Sequence, residues 1–207
     1  YNNYYCGGYC SGVNSLVASA YSVNFWGAVG GINPLWNLTV NADYLTAVKN
    51  ITTVGSQNYY GDLWIGNPDR DSSRTISLTS YESDINFYGK INDAACGYGY
   101  CGPGYNGLVA SAYSVNFWGT VGGRNELSGL TVYANDITVV KDITTVGSQN
   151  YNGDLWVGKA HAAPWNGRTI SLTSYESDIN FYGKVNDANY NNYYCGGYCS
   201  CLLYTSD

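Results

Sequence analysis

Polar and apolar residues alternate with period two over short stretches of the chain, the pattern of strands that bury one face. From Val23 to Val29, the residues Val23, Phe25 and Val29 share a side with Gly27, and Asn24, Trp26 and Ala28 fall on the other. Tyr59, Leu63 and Ile65 likewise oppose Tyr60, Asp62 and Trp64, and Ile85, Phe87 and Ile91 oppose Asn86, Tyr88 and Lys90. Asp62 and Lys90 mark the outer side, because charges stay in water unless paired. Leu38-Thr39-Val40, Ile51-Thr52-Thr53 and Ile76-Ser77-Leu78 are further short strands, set apart by Gly, Asn and Asp of turn type. Where a long helix would need Ala, Leu, Glu and Lys, the chain offers Gly, Asn, Thr, Ser, Val and Tyr.

These stretches recur. LVASAYSVNFWG at Leu16 to Gly27 returns at Leu108 to Gly119, and ITTVGSQNY at Ile51 to Tyr59 returns at Ile143 to Tyr151, both displaced by 92 residues. RTISLTSYESDINFYGK at Arg74 to Lys90 returns at Arg168 to Lys184, displaced by 94, and YNNYYCGGYCS at Tyr1 to Ser11 returns at Tyr190 to Ser200. The chain therefore divides into a first repeat at 1–95, a second at 96–189 and the start of a third at 190–200. A shorter motif, Asn then an aromatic ring, a variable residue and Gly, begins at Asn24, Asn58, Asn86, Asn116, Asn150 and Asn180, a spacing of 28 to 34 residues. Short strands, polar turns and a fixed period predict a β-solenoid, in which like positions stack about 4.8 Å apart. In such a stack Gly27, Gly61 and Gly89 are expected to leave room for a ladder of inner rings.

Composition narrows the picture. Of 207 residues, 45% are hydrophobic and 12% charged, enough for a buried core. The net charge of −6, with no cluster of Lys or Arg, argues against nucleic acid as a partner. No apolar run is long enough to span a bilayer and no signal peptide is evident. The chain contains no Met, which fits an internal fragment of a longer protein.

The order of the motifs resembles the repeats of filamentous-haemagglutinin-like exoproteins and autotransporter passenger domains of bacteria. The resemblance lies in Thr52, Thr53, Gly55, Gln57, Tyr59 and Gly61, then Ile76 to Ser80, then Ile85, Phe87, Gly89 and Ile91, with their second-copy equivalents. The connector VNFWGAVGGINPLWNLTVNA adds to it. The resemblance implies an all-β, right-handed parallel β-helix acting as a non-catalytic adhesive stalk on the bacterial cell surface or in the extracellular medium. The Tyr, Asn and Cys-rich connectors depart from that pattern.

Those connectors hold three cysteine pairs, Cys6 with Cys10, Cys96 with Cys101, and Cys195 with Cys199. In an exported protein they read as local disulfides, with free thiols as an alternative; two thiolates per connector, without a nearby His, fall short of the four ligands of a zinc site. The seventh cysteine, Cys201, opens CLLYTSD, which abandons the repeat and matches the translation of a transposase adapter used in sequencing libraries; 201–207 is set aside as an artefact.

No catalytic residue, cofactor or metal ligand is assigned. The single histidine, His161, has no counterpart in the first repeat, and the acids Glu82 and Asp84, with Glu176 and Asp178, occur in both copies as turn residues would. The stronger lead is an outward aromatic face formed by Trp26, Tyr60, Trp64, Tyr88, Trp118, Trp156 and Tyr182. Such a face suits host or environmental glycans, surface proteins or a second copy of the chain; rings that only stack on one another suit it equally. The alternatives to an adhesin are a carbohydrate-active β-helix lyase or glycosidase, and a self-assembling matrix protein cross-linked through Tyr and Cys.

Overall fold

Every strand pairing among the described residues is parallel, and successive pairings climb a single rising coil. The computed structural model describes residues 14–47, 49–66, 73–94, 105–158 and 169–188; the cysteines, His161 and residues 189–207 lie outside them. The described residues contain no helix. The strands are β1 (Leu16–Ser19), β2 (Ser22–Phe25), β3 (Leu38–Ala47), β4 (Ile51–Thr53), β5 (Gln57–Ile65), β6 (Thr75–Ser80), β7 (Ile85–Phe87) and β8 (Ile91–Asp93). The second repeat supplies β9 (Gly107–Ser111), β10 (Ser114–Phe117), β11 (Leu130–Val139), β12 (Ile143–Thr145), β13 (Gln149–Val157), β14 (Leu172–Ser174), β15 (Ile179–Phe181) and β16 (Val185–Asp187).

The registers define three faces. On the first, Leu16, Leu38, Gln57, Ile85, Val115, Ile137, Leu155 and Val185 stack in order. On the second, Val23, Leu45, Leu63, Ile91, Val121, Ile143 and Leu172 do so. On the third, Val29, Ile51, Leu78, Ala110, Val132, Tyr151 and Phe181 do so. This is a β-solenoid, and the alternation seen in the sequence faces its core as expected: Leu45, Ile51, Leu63, Phe87, Phe117, Val132 and Ile143 are all buried. Inner rings stack where the Asn-aromatic motif puts them, Tyr59 on Phe87 at 5.4 Å, Phe87 on Phe117 at 5.2 Å, and Tyr151 on Phe181 at 5.5 Å between centroids. Each such pair adds about 1 kcal/mol beyond burial.

Long strands turn corners. β3 and β5 run from the first face onto the second, and two residues of β3, Ala42 and Asp43, oppose the single Gly61. β11 and β13 repeat this between the third and first faces, with Ala134 and Asn135 opposite Gly153. Such a bulge bends the strand and sharpens its twist. Here the expected reason for the glycines changes. A Cβ on Gly61 would collide with the Ala42 carbonyl, one on Gly89 with the Gly61 carbonyl and one on Gly119 with the Gly89 carbonyl, so the glycines admit the neighbouring coil's backbone and not a ring. Gly27, in the first coil, meets nothing within 4 Å.

The repeat is not a whole number of coils. Going along the first copy, the face segments are β1, β2, the Val29 to Leu35 stretch, the two halves of β3, β4, the two halves of β5, β6, β7 and β8, eleven in all. Eleven segments on three faces make three and two-thirds coils. Consequently β9, which has the sequence of β1, stacks on β6 of the third face, and β10, which has the sequence of β2, stacks on β7 of the first. The short motif is likewise only partly a coil period. Asn58, Asn86 and Asn116 share a column, and so do Asn150 and Asn180, but Asn24 stacks with Thr46 on another face.

Candidate functional site

The Thr-Thr-x-Gly-x-Gln-x-Tyr stretch builds a polar cluster inside the core. Thr53, Gln57 and Tyr59 share strand parity with Leu63 and are buried with it. The Gln57 amide donates to Thr53 Oγ1 at 3.2 Å and to the Thr79 carbonyl at 2.7 Å, while the Tyr59 hydroxyl donates to Gln57 Oε1 at 2.7 Å. Thr53 Oγ1 in turn donates to the Gly55 carbonyl at 2.5 Å. The second copy reproduces it: Gln149 donates to Thr145 at 3.2 Å and to the Thr173 carbonyl at 2.7 Å, and Tyr151 donates to Gln149 at 2.8 Å. Burial pushes the Tyr59 and Tyr151 hydroxyls far above the usual tyrosine range. The cluster ties the turn after β4 to the coil above it. Its signal was present in the sequence as an amide and a phenol on the apolar side of a strand.

The outward aromatics do not form one stripe. Tyr60, Tyr88 and Trp118 stack on the first face, Tyr60 on Tyr88 at 4.4 Å with an interplanar angle of 2°, and Tyr88 on Trp118 at 6.5 Å and 5°. Beside them runs an amide ladder in which Asn86 donates to Asn58 and Asn116 to Asn86, both at 2.9 Å. Burial and the Tyr60 hydroxyl raise the Tyr88 pKa. Because the ring planes face each other, this stack turns edges and hydroxyls to solvent. Trp118 is half-buried and its indole N–H has no hydrogen-bond partner. Trp156, further along the same face, donates from its indole to Asp136 at 3.0 Å. Trp64 lies on the second face with Arg124 over its ring at 5.8 Å. Trp26 follows β2 on the second face and Tyr182 follows β15 on the third; they are exposed by 57% and 67%.

The acids occupy turns. Glu82 and Asp84 lie between β6 and β7, where the Asp84 carbonyl accepts from Gln57 N; Glu176 and Asp178 lie between β14 and β15, at a different corner, and are exposed. Asp93, by contrast, is buried. Asp93 accepts from Tyr105 N at 2.6 Å, Asn106 N at 2.9 Å and the Asn106 amide at 2.6 Å, so it clips together the two ends of the connector that carries Cys96 and Cys101. Sequence reasoning missed this clip, since Asp93 looks like an ordinary turn residue after Ile91-Asn92. Among the described residues, no group of three or more His, Cys, Asp or Glu is placed to hold a metal ion, and no helix is long and apolar enough to cross a membrane. One open depression on the third face is lined by Thr75, Gly107, Ser128, Gly129, Ser148 and Asn150 among others, and offers hydroxyls, amides and backbone but no carboxylate. Comparison of the chain with protein-family models, with curated proteins and with solved structures gives no match.

Proposed function

We propose that this chain is a non-catalytic structural and adhesive segment of a large secreted or cell-surface bacterial adhesin, a stiff stalk that carries repeated polar and aromatic features into the surrounding medium. The observation that carries this reading is continuity. One buried core runs from coil to coil through both repeats, with the same inner ladders on either side of the repeat boundary. Adding copies to such a structure extends the same core and adds length. The resemblance to filamentous-haemagglutinin-like repeats supports the same reading. The features on offer are the Asn ladder and the edges of the Tyr60, Tyr88 and Trp118 stack, which suit hydrogen bonding to glycan hydroxyls or to a protein surface better than face-on stacking against a sugar ring. The test is to incubate the protein with immobilised neutral and acidic polysaccharides and follow retention and chain cleavage together. Retention without cleavage, weakened by Tyr60→Ala and Tyr88→Ala, is expected. Cleavage that disappears in Asp84→Asn would replace the stalk by an enzyme.

A further inference from the structure

We propose that Tyr60 and Tyr88 form an oxidative cross-linking site, a pair of phenols that a one-electron oxidant, such as hydrogen peroxide with a haem peroxidase, couples ring to ring into a staple between adjacent coils. The argument does not depend on the adhesin reading. The two rings lie 4.4 Å apart between centroids with an interplanar angle of 2°. Their hydroxyls are hydrogen-bonded to each other, so both phenols point the same way and the ring carbons next to the two oxygens lie side by side. Tyr60 is 49% exposed and Tyr88 42%, which admits an oxidant to both rings and leaves them room to hinge together. Trp118, the third ring of the stack, is farther from Tyr88, at 6.5 Å.

The surrounding structure holds the pair from both sides. Two residues earlier the Asn86 amide donates to Asn58 at 2.9 Å, one residue earlier Tyr59 stacks on Phe87 in the core, and one residue later Gly89 packs against the Gly61 carbonyl. Groups held in this way need little further ordering before they react. In the coupling each phenol gives one electron to the oxidant and its hydroxyl proton to water. The two phenoxyl radicals join through a carbon ortho to each oxygen, and the hydrogens on those carbons leave as protons while the oxygens regain theirs from solvent. Two phenols and one hydrogen peroxide thus become one biphenol and two waters. The new bond closes the chain between positions 60 and 88 and restrains the unfolded state as a disulfide does. The second repeat keeps the frame and lacks one ring. Asn180 donates to Asn150 at 3.0 Å, Tyr151 stacks on Phe181 and Gly183 packs against the Gly153 carbonyl, but Asn152 stands where the first repeat has Tyr60.

The protein is treated at low and high concentration with a haem peroxidase and limiting hydrogen peroxide, digested with trypsin and mapped by mass spectrometry. Peptides 50–70 and 75–90 are expected to appear joined, short of two hydrogens, in the same yield at both concentrations, and the coupled monomer is expected to melt at a higher temperature than the untreated one. Tyr60→Phe and Tyr88→Phe keep the stacked rings but have no hydroxyl hydrogen to lose. Each is expected to melt like the untreated parent and to lose this link completely, and the second also separates Tyr88 from Tyr81, which lies on the same peptide. Asn152→Tyr is expected to add a second link, from peptide 142–159 to Tyr133 or Tyr182, its neighbours on the adjoining coils. A parent that gives no link between 50–70 and 75–90 or joins only separate chains overturns the proposal. So does a link that survives in either Phe variant, or an Asn152→Tyr variant that melts like the parent and gains no link.

Discussion

Gln57 sits on the core side of its strand, and what makes that tolerable is that its amide and carbonyl are all spoken for by Thr53, Thr79 and Tyr59. Replacing it with Leu takes away the acceptor of the buried Tyr59 hydroxyl and the donor to the buried Thr53 Oγ1. At 1 to 3 kcal/mol for each lost partner, Gln57→Leu is expected to cost about 3 kcal/mol, read from the urea midpoint at unchanged slope. The buried phenols give a pH dependence. Folding raises the pKa of Tyr59 and Tyr151 above the unfolded value, so above about pH 10 the unfolded chain holds fewer protons and stability falls as pH rises. Each phenol contributes up to about 1.4 kcal/mol per pH unit, and Tyr59→Phe is expected to make that slope shallower in urea unfolding between pH 10 and 12. Residue by residue, the inner and outer sides were legible from alternation alone. The Gln-Tyr cluster was visible only as a motif, because parity tells which side a residue faces and not which backbone carbonyl from the next coil waits there.

Strands and corners were less legible. The sequence marks β4, β6 and β7 by composition, but the link from one coil to the next varies with the loops: Leu38, Gln57, Ile85 and Val115 share a column although the steps between them are unequal. The corner glycines were visible, and their reason was not, since it lies in the backbone of the neighbouring coil, at Ala42 for Gly61, at Gly61 for Gly89 and at Gly89 for Gly119. Gly89→Ala drives a methyl into the Gly61 carbonyl and is expected to cost at least about 2 kcal/mol, while Gly27→Ala, whose methyl meets nothing within 4 Å, changes stability by less than about 0.5 kcal/mol. Thermal melts of the two variants side by side check this. The same contrast holds for the rings: Phe87→Ala, between Tyr59 and Phe117, removes a full core side chain and is expected to cost about 4 kcal/mol, whereas Phe181→Ala at the last coil costs far less.

At the scale of the molecule, the repeat of three and two-thirds coils decides what the surface presents. Equivalent residues of successive copies fall on different faces, as Trp26 on the second and Trp118 on the first, so a feature written once per repeat winds around the rod and returns to the same face only after three copies. A stripe inferred from sequence repetition therefore becomes a spiral, while a true ladder such as Asn58, Asn86 and Asn116 is built from different positions of the repeat. The register across the repeat boundary tests this most directly. In methyl-labelled protein, nuclear Overhauser contacts are expected between Ile76 and Leu108, Ile85 and Val115, and Ile91 and Val121, the stacked partners across the boundary. A contact between Ile85 and Leu108 in their place would mean that each copy closes a whole number of coils, and would contradict the account.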